Sequence, residues 1–200
     1  KNIWRSIKPL HFQKVKPFNF AILVTILISL SLIAQPFADL KNGTIKDTNT
    51  GLIWEKCSAG QNWEKNCEGD STMMNWESAM NYCKDLKLAE MEWKLPSYKE
   101  MRTILSLENS YDPNGTISTT QYRPAISLTF FPKTEHGYYW LGDEYTTTKT
   151  NPPHKRFAYY IRFDIPPSRS KDEVDFSWFI TPKTSEMFVR CVSTGEKKKN

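Results

Sequence analysis

The chain is short of the residues from which many catalytic and metal centres are built. It has three histidines in 200 residues, and only His136 and His154 lie beyond the first forty. No CxxC or HxxxH spacing occurs, which removes the usual zinc arrangements, since these need closely spaced ligand pairs. Glycine-rich phosphate loops, internal repeats, EF-hand spacing and nucleic-acid signatures are also missing. Charge is absent in two informative places. Residues 1–17 contain no acid, and residues 18–34, FNFAILVTILISLSLIA, contain no charge at all.

A basic stretch (Lys1, Arg5, Lys8, Lys14, Lys16) ahead of an apolar run is the pattern of an export signal or of an N-terminal membrane anchor through Phe18–Ala34. The run is long for a signal and short of the roughly 20 residues that span a bilayer. Both readings stay open: cleavage after Ala34 or Ala38, or retention as an anchor. No cysteine lies near residues 30–40 to carry a lipid. Either way the rest of the chain is exported, to the periplasm, the outer surface or the medium. Residues 1–38 are therefore set apart, residues 39–194 form one domain, and residues 195–200 make a basic tail expected to be frayed. The five basic residues of the first segment leave 22 Lys+Arg against 22 Asp+Glu, so the overall charge of +5 gives no argument for a polyanionic partner.

The exported part holds four cysteines, Cys57, Cys67, Cys83 and Cys191. In an oxidising compartment an even number defaults to disulfides, and three pairings are possible. Cys57 and Cys67 flank the polar loop SAGQNWEKN, which a local bridge closes easily, leaving Cys83 for Cys191. In NWESAMNYCKDL, Trp76, Ala79, Met80, Cys83 and Leu86 follow helical spacing, which puts Cys83 on the apolar stripe. In MFVRCV, Met187, Val189 and Cys191 share one face of a strand. Both sulfurs thus face a core. A catalytic cysteine would need a histidine partner and an electropositive, accessible site, and neither remaining histidine forms a recognisable motif with Cys83.

Thr44–Lys46 and Leu52–Glu55 read as a hairpin around turn residues 47–51. Asn75 is an N-cap for the first helix, and Ser97 with Glu100 forms a capping box for a short second one bearing Met101, Ile104 and Leu105. Residues 109–136 read as a long ordered excursion, because Tyr122, Ile126, Leu128, Phe130 and Phe131 need burial. The last third is strand-like: YYWLGDEYT, RFAYYIRFD, VDFSWFI and MFVRCV are rich in aromatic and β-branched residues, separated by TNPPHK and PPSRSK. Phe157, Tyr159, Ile161 and Phe163 share a face, as do Val174, Phe176, Trp178 and Ile180. Two helices against one mostly antiparallel sheet define an α+β class.

This order resembles the C-type-lectin-like fold. NGTIKDTNTGLIWEKCSAGQ, NWESAMNYCKDL, EWKLPSYKEM, YYWLGDEY and FVRCV resemble the C-terminal domain family of the Legionella collagen-like protein. The resemblance implies an exported bacterial surface or envelope module, and for the named member an adhesin that binds sulfated glycans as a trimer with basic clefts. The neutral exported part and the lack of a collagen-like stalk argue against carrying sulfated-glycan binding and trimerisation over. No catalytic residue carries over, and no cofactor is implied.

The resemblance directs ligand contact to the late loops, where Lys149, Lys155, Arg156, Arg162, Arg169 and Lys171 form the densest basic group and Trp178 offers an aromatic face. A solvated loop set is the plainer reading of these charges. Trp54, Trp76, Trp93 and Trp140 read as scaffold aromatics. Asp143, Glu144, Asp172, Glu173 and Asp175 lack a calcium-binding spacing. The expected function is a non-enzymatic binding module for a glycan or protein ligand, with a membrane-anchored envelope component as the alternative.

Overall fold

The computed structural model describes residues 36–106, 123–147, 154–165 and 178–198. It is α+β, with two short helices, α1 (Trp76–Asp85) and α2 (Tyr98–Met101). The side-chain oxygen of Asn75 accepts the Ser78 N–H at 2.9 Å to open α1. Ser97 and Glu100 make the reciprocal capping box at α2, and a 3-10 turn, Arg102–Ile104, continues it.

The hairpin is β2 (Thr44–Asp47) and β3 (Ile53–Glu55). Its turn is held by the Asp47 carboxylate, which accepts the Asn49 N–H at 2.9 Å and the Thr50 hydroxyl at 2.6 Å. β1 (Phe37–Asp39) pairs with β2, and β9 (Val192–Ser193) pairs with β3, giving the order β1-β2-β3-β9. The domain therefore starts before the expected boundary at 39. Phe37 is buried and packs edge-on against Phe131, so cleavage after Ala38 would remove a core ring, whereas cleavage after Ala34 would not.

The remaining strands form separate ladders, where the sequence predicted one sheet. β5 (Tyr138–Thr147), β6 (His154–Arg162) and β8 (Trp178–Pro182) make a three-stranded antiparallel sheet, and β4 (Arg123–Pro124) pairs with β7 (Asp164–Ile165). The segment Met187–Cys191 joins the larger sheets. Met187 exchanges backbone bonds with Met74, Phe188 bonds Tyr138 and Trp140 on β5, and Val189 and Cys191 accept from Ala59 and Glu55 on the other side. A segment shared in this way buries both of its faces. Met187, Val189 and Cys191 enter one core cluster with Cys83, Trp93 and Trp140, while Phe188 and Val192 pack into another with Trp54, Tyr139 and Ile161.

Three local expectations change. On α1, Met80 is exposed and Tyr82 takes its place on the inner side, because the Tyr82 hydroxyl finds a buried carboxylate partner in Glu55 at 2.8 Å. In the excursion, Ile126 and Phe131 are buried and Phe130 partly so, but Leu128 is exposed; Tyr122 lies outside the described residues. The tail is not frayed through residue 198. The Glu196 carbonyl accepts the Glu92 N–H at 2.9 Å, and the Lys198 N–H donates to the Glu90 carbonyl at 2.8 Å. The Lys198 ammonium also reaches the Lys84 carbonyl in the last turn of α1 at 3.0 Å, where a cation is favoured. Val174 and Phe176 lie outside the described residues.

Candidate functional site

Cys57–Cys67 and Cys83–Cys191 are both bonded, and no free cysteine remains. Asp143 and Glu144 have partners of their own. The Asp143 carboxylate accepts the Tyr98 N–H at 2.8 Å, which fixes β5 to the start of α2. Glu144 lies between Lys183 at 2.6 Å and Lys155 at 3.2 Å. The hydrogen bond from Lys183 is the main influence that holds the Glu144 carboxyl below the usual carboxylate range, with Lys155 adding to it. Lys183 also sits 4.0 Å over the Trp76 ring.

Of the basic group, Lys155, Arg156 and Arg162 lie among the described residues. Lys155 and Arg156 begin β6 and are exposed, but Lys155 is engaged by Glu144. Arg162 ends the same strand, about 20 Å away at the usual rise per residue, and stacks 5.8 Å over Tyr138. Lys149, Arg169 and Lys171 lie outside the described residues, as do Asp172, Glu173 and Asp175. Trp178 does border a cleft of about 360 Å³, lined by Tyr98, Asp143, Glu144 and Tyr159. Its ring meets Tyr159 edge-on at 4.7 Å and is 49 % exposed. Among the described residues, the cleft beside Trp178 is lined by aromatic and acidic side chains, with Glu144 paired to Lys155 and Lys183. Phe179 and Ile180 are also exposed. Trp54, Trp93 and Trp140 are buried and Trp76 partly so, as scaffold aromatics.

A second concavity, about 600 Å³, was not anticipated. Asn42, Gly43, Glu55, Cys57, Gln61, Trp63, Tyr82 and the run 86–89 line it. Beneath it lies a buried polar cluster. Arg190 is fully buried, with one guanidinium nitrogen donating to the Glu55 and Lys56 carbonyls at 2.7 and 2.6 Å. The other donates to Ser58 Oγ at 3.1 Å and Thr134 Oγ1 at 2.8 Å. Its charge also lies 5.1 Å from the Phe131 ring centre. Arg190 thus binds neutral oxygens, and burial lowers its pKa, opposed by Tyr139 and Glu55.

The Glu55 carboxylate accepts the Tyr82 hydroxyl and, at 3.1 Å, the Cys191 N–H. Burial pushes its pKa from 4.5 up to about 7, against those hydrogen bonds and the field of Arg190. The folded chain then holds this proton more tightly than the unfolded chain. Its contribution to stability is full below about pH 4.5 and is lost as pH rises through about 7. Stability is expected to fall by roughly 3 kcal/mol across that window. Urea unfolding at pH 5 and pH 8 measures the fall, and Glu55→Gln should flatten it; an unchanged slope in that variant would assign the effect to another group.

Two short helices, stapled loops and antiparallel ladders define a small disulfide-bonded α+β domain with open surface concavities. The chain belongs to the Lcl C-terminal domain family, whose model matches residues 43–193. That membership is of a surface-associated module, and the two disulfides are compatible with export. No curated protein matches the chain.

Proposed function

We propose that the chain is a non-enzymatic, adhesin-like binding module on a C-type-lectin-like scaffold, taking a glycan or protein ligand without a cofactor. The observation that carries this reading is the half-exposed Trp178 beside Tyr159, in an open cleft with two acidic side chains. A rigid ring with one free face suits a sugar ring or an apolar peptide side chain, while Asp143 and Glu144 can accept hydrogen bonds from either. Family membership supports a surface setting. The bonded state of all four cysteines supports a non-enzymatic role, since a cysteine nucleophile requires a thiolate.

The full chain should retain a ligand on panels of glycans and extracellular-matrix proteins, and Trp178→Ala should weaken it at least tenfold, about 1.4 kcal/mol. No ligand on either panel, or equal retention by the variant, would sink the reading. A membrane-anchored envelope component is the second reading. It is favoured by the start of β1 at Phe37, three residues beyond the apolar run. Recovery of the intact N-terminus in the membrane fraction, with a crosslinked partner, would support it; a mature chain released into the soluble fraction would remove it.

A further inference from the structure

The groove over Glu55 and Tyr82 shares no lining residue with the Trp178 cleft, and both of its walls are built from constrained backbone. One wall is the loop closed by Cys57–Cys67. Asn62 caps its 3-10 turn, Trp63–Lys65, by accepting the Glu64 N–H at 3.0 Å, and Asn66 and Cys67 take left-handed conformations (φ 55° and 63°). The loop carries Trp63, which is 38 % exposed. The other wall is the run after α1, where Ala89 and Glu90 are consecutive left-handed residues without being glycine (φ 52° and 58°).

That second wall is braced from behind. The Trp93 indole N–H donates to the Leu88 carbonyl at 2.9 Å, and the Lys198 N–H holds the Glu90 carbonyl. Between the walls lies Gly43, at φ 85°, where a Cβ would come within 2.8 Å of the Trp63 ring and 2.9 Å of Leu88. Left-handed non-glycine residues are strained and persist where surrounding structure enforces them, often around ligand sites. The volume, about 600 Å³, falls in the range of small-ligand sites.

The lining limits what can enter. Trp63, Leu86, Leu88 and Ala89 supply apolar contact, while Asn42, Gln61, Glu55 and Tyr82 bring amides, a carboxyl and a phenol. Lys87 is the one basic residue in that lining, so the groove lacks the cluster of surface cations that holds a sulfate or phosphate group. A ring with apolar faces and hydroxylated edges matches this pattern, with its face on the indole and its edges on the amides. We infer that the groove between Trp63 and the 86–89 run is a second ligand site, for a neutral hydroxylated ring of the hexose or N-acetylhexosamine class.

The test uses the full chain and two probes: short neutral oligosaccharides of hexose and N-acetylhexosamine units, and sulfated oligosaccharides of equal length. Saturable binding of the neutral probe is expected. Trp63→Ala should weaken it at least tenfold and Trp63→Phe by less than threefold, with the melting temperature of Trp63→Phe unchanged. Amide and side-chain shift mapping on the unaltered chain reads the site without a variant, and should move Trp63, Asn42, Gln61 and Lys87. Binding of the sulfated probe alone, equal binding by Trp63→Ala, or no saturable binding would overturn the inference. So would shifts confined to Trp178 and Tyr159, a result that would leave the cleft reading standing.

Discussion

Replacing Cys83 and Cys191 together by alanine is expected to lower unfolding stability by about 5 kcal/mol, against about 3 kcal/mol for the pair Cys57 and Cys67. The difference comes from loop length. The first bridge joins residues 108 apart and the second residues 10 apart, and in the chain-entropy picture the longer loop restricts the unfolded chain more. Both sulfurs of the long bridge are fully buried in the cluster with Val189 and Trp140, so the folded state loses packing as well. A loss near 5 kcal/mol is a large share of the 5–15 kcal/mol typical of a domain. Urea unfolding of both double variants, under conditions that keep the remaining bridge oxidised, measures this. Equal losses, or a larger loss for the short bridge, would show that loop length does not control stability here.

Arg190→Met is expected to destabilise the chain by about 3–5 kcal/mol, although it exchanges a charge in the core for an apolar side chain of similar length. A buried ion pair can often be replaced by apolar residues without loss, because both charges disappear together. Arg190 differs because its acceptors include the main-chain carbonyls of Glu55 and Lys56. These lose a charged donor on substitution, the Glu55 carbonyl in a buried position, whereas the Ser58 and Thr134 hydroxyls keep Tyr139 Oη at 3.0 Å and the Phe131 carbonyl at 2.7 Å. Arg190→Lys should fall between, since an ammonium cannot span oxygens arranged for a planar fork. Urea midpoints of the two variants provide the check; a neutral Arg190→Met would mean that the carbonyls find other donors.

Much of the frame was legible from local chemistry. Asn75 and Ser97 cap helices because their oxygens satisfy backbone N–H groups within three residues. The hairpin around Asp47 arises from turn residues between two β-rich runs. The long disulfide was readable because Cys83 and Cys191 each fell on an apolar periodicity. Other features had no local signal. Arg190 alternates with Val189 and Cys191, and alternation alone assigns it to solvent, yet Met187–Cys191 is covered on both faces. Glu55 looks like an ordinary strand carboxylate until Tyr82, 27 residues on, supplies its partner. Trp63 was detectable in principle, as a tryptophan in a polar loop between two cysteines, but nothing local says what it faces.

Lys155 and Arg162 show how residues close in sequence can be set apart by the strand that carries them. Lys155 and Arg162 are seven positions apart in the chain, and an extended strand carries them to opposite ends of β6. Opposite charge then arrives from β5, where Glu144 takes Lys155. Periodicity, capping and cysteine parity, which act over a few residues or through chain entropy, were enough to determine the α+β class, the helix starts and the staples. The tertiary structure alone decided which polar groups are buried and which aromatic rings stand free. Burial and charge pairing depend on neighbours far away in sequence, brought close only when the sheets and the Met187–Cys191 seam come together.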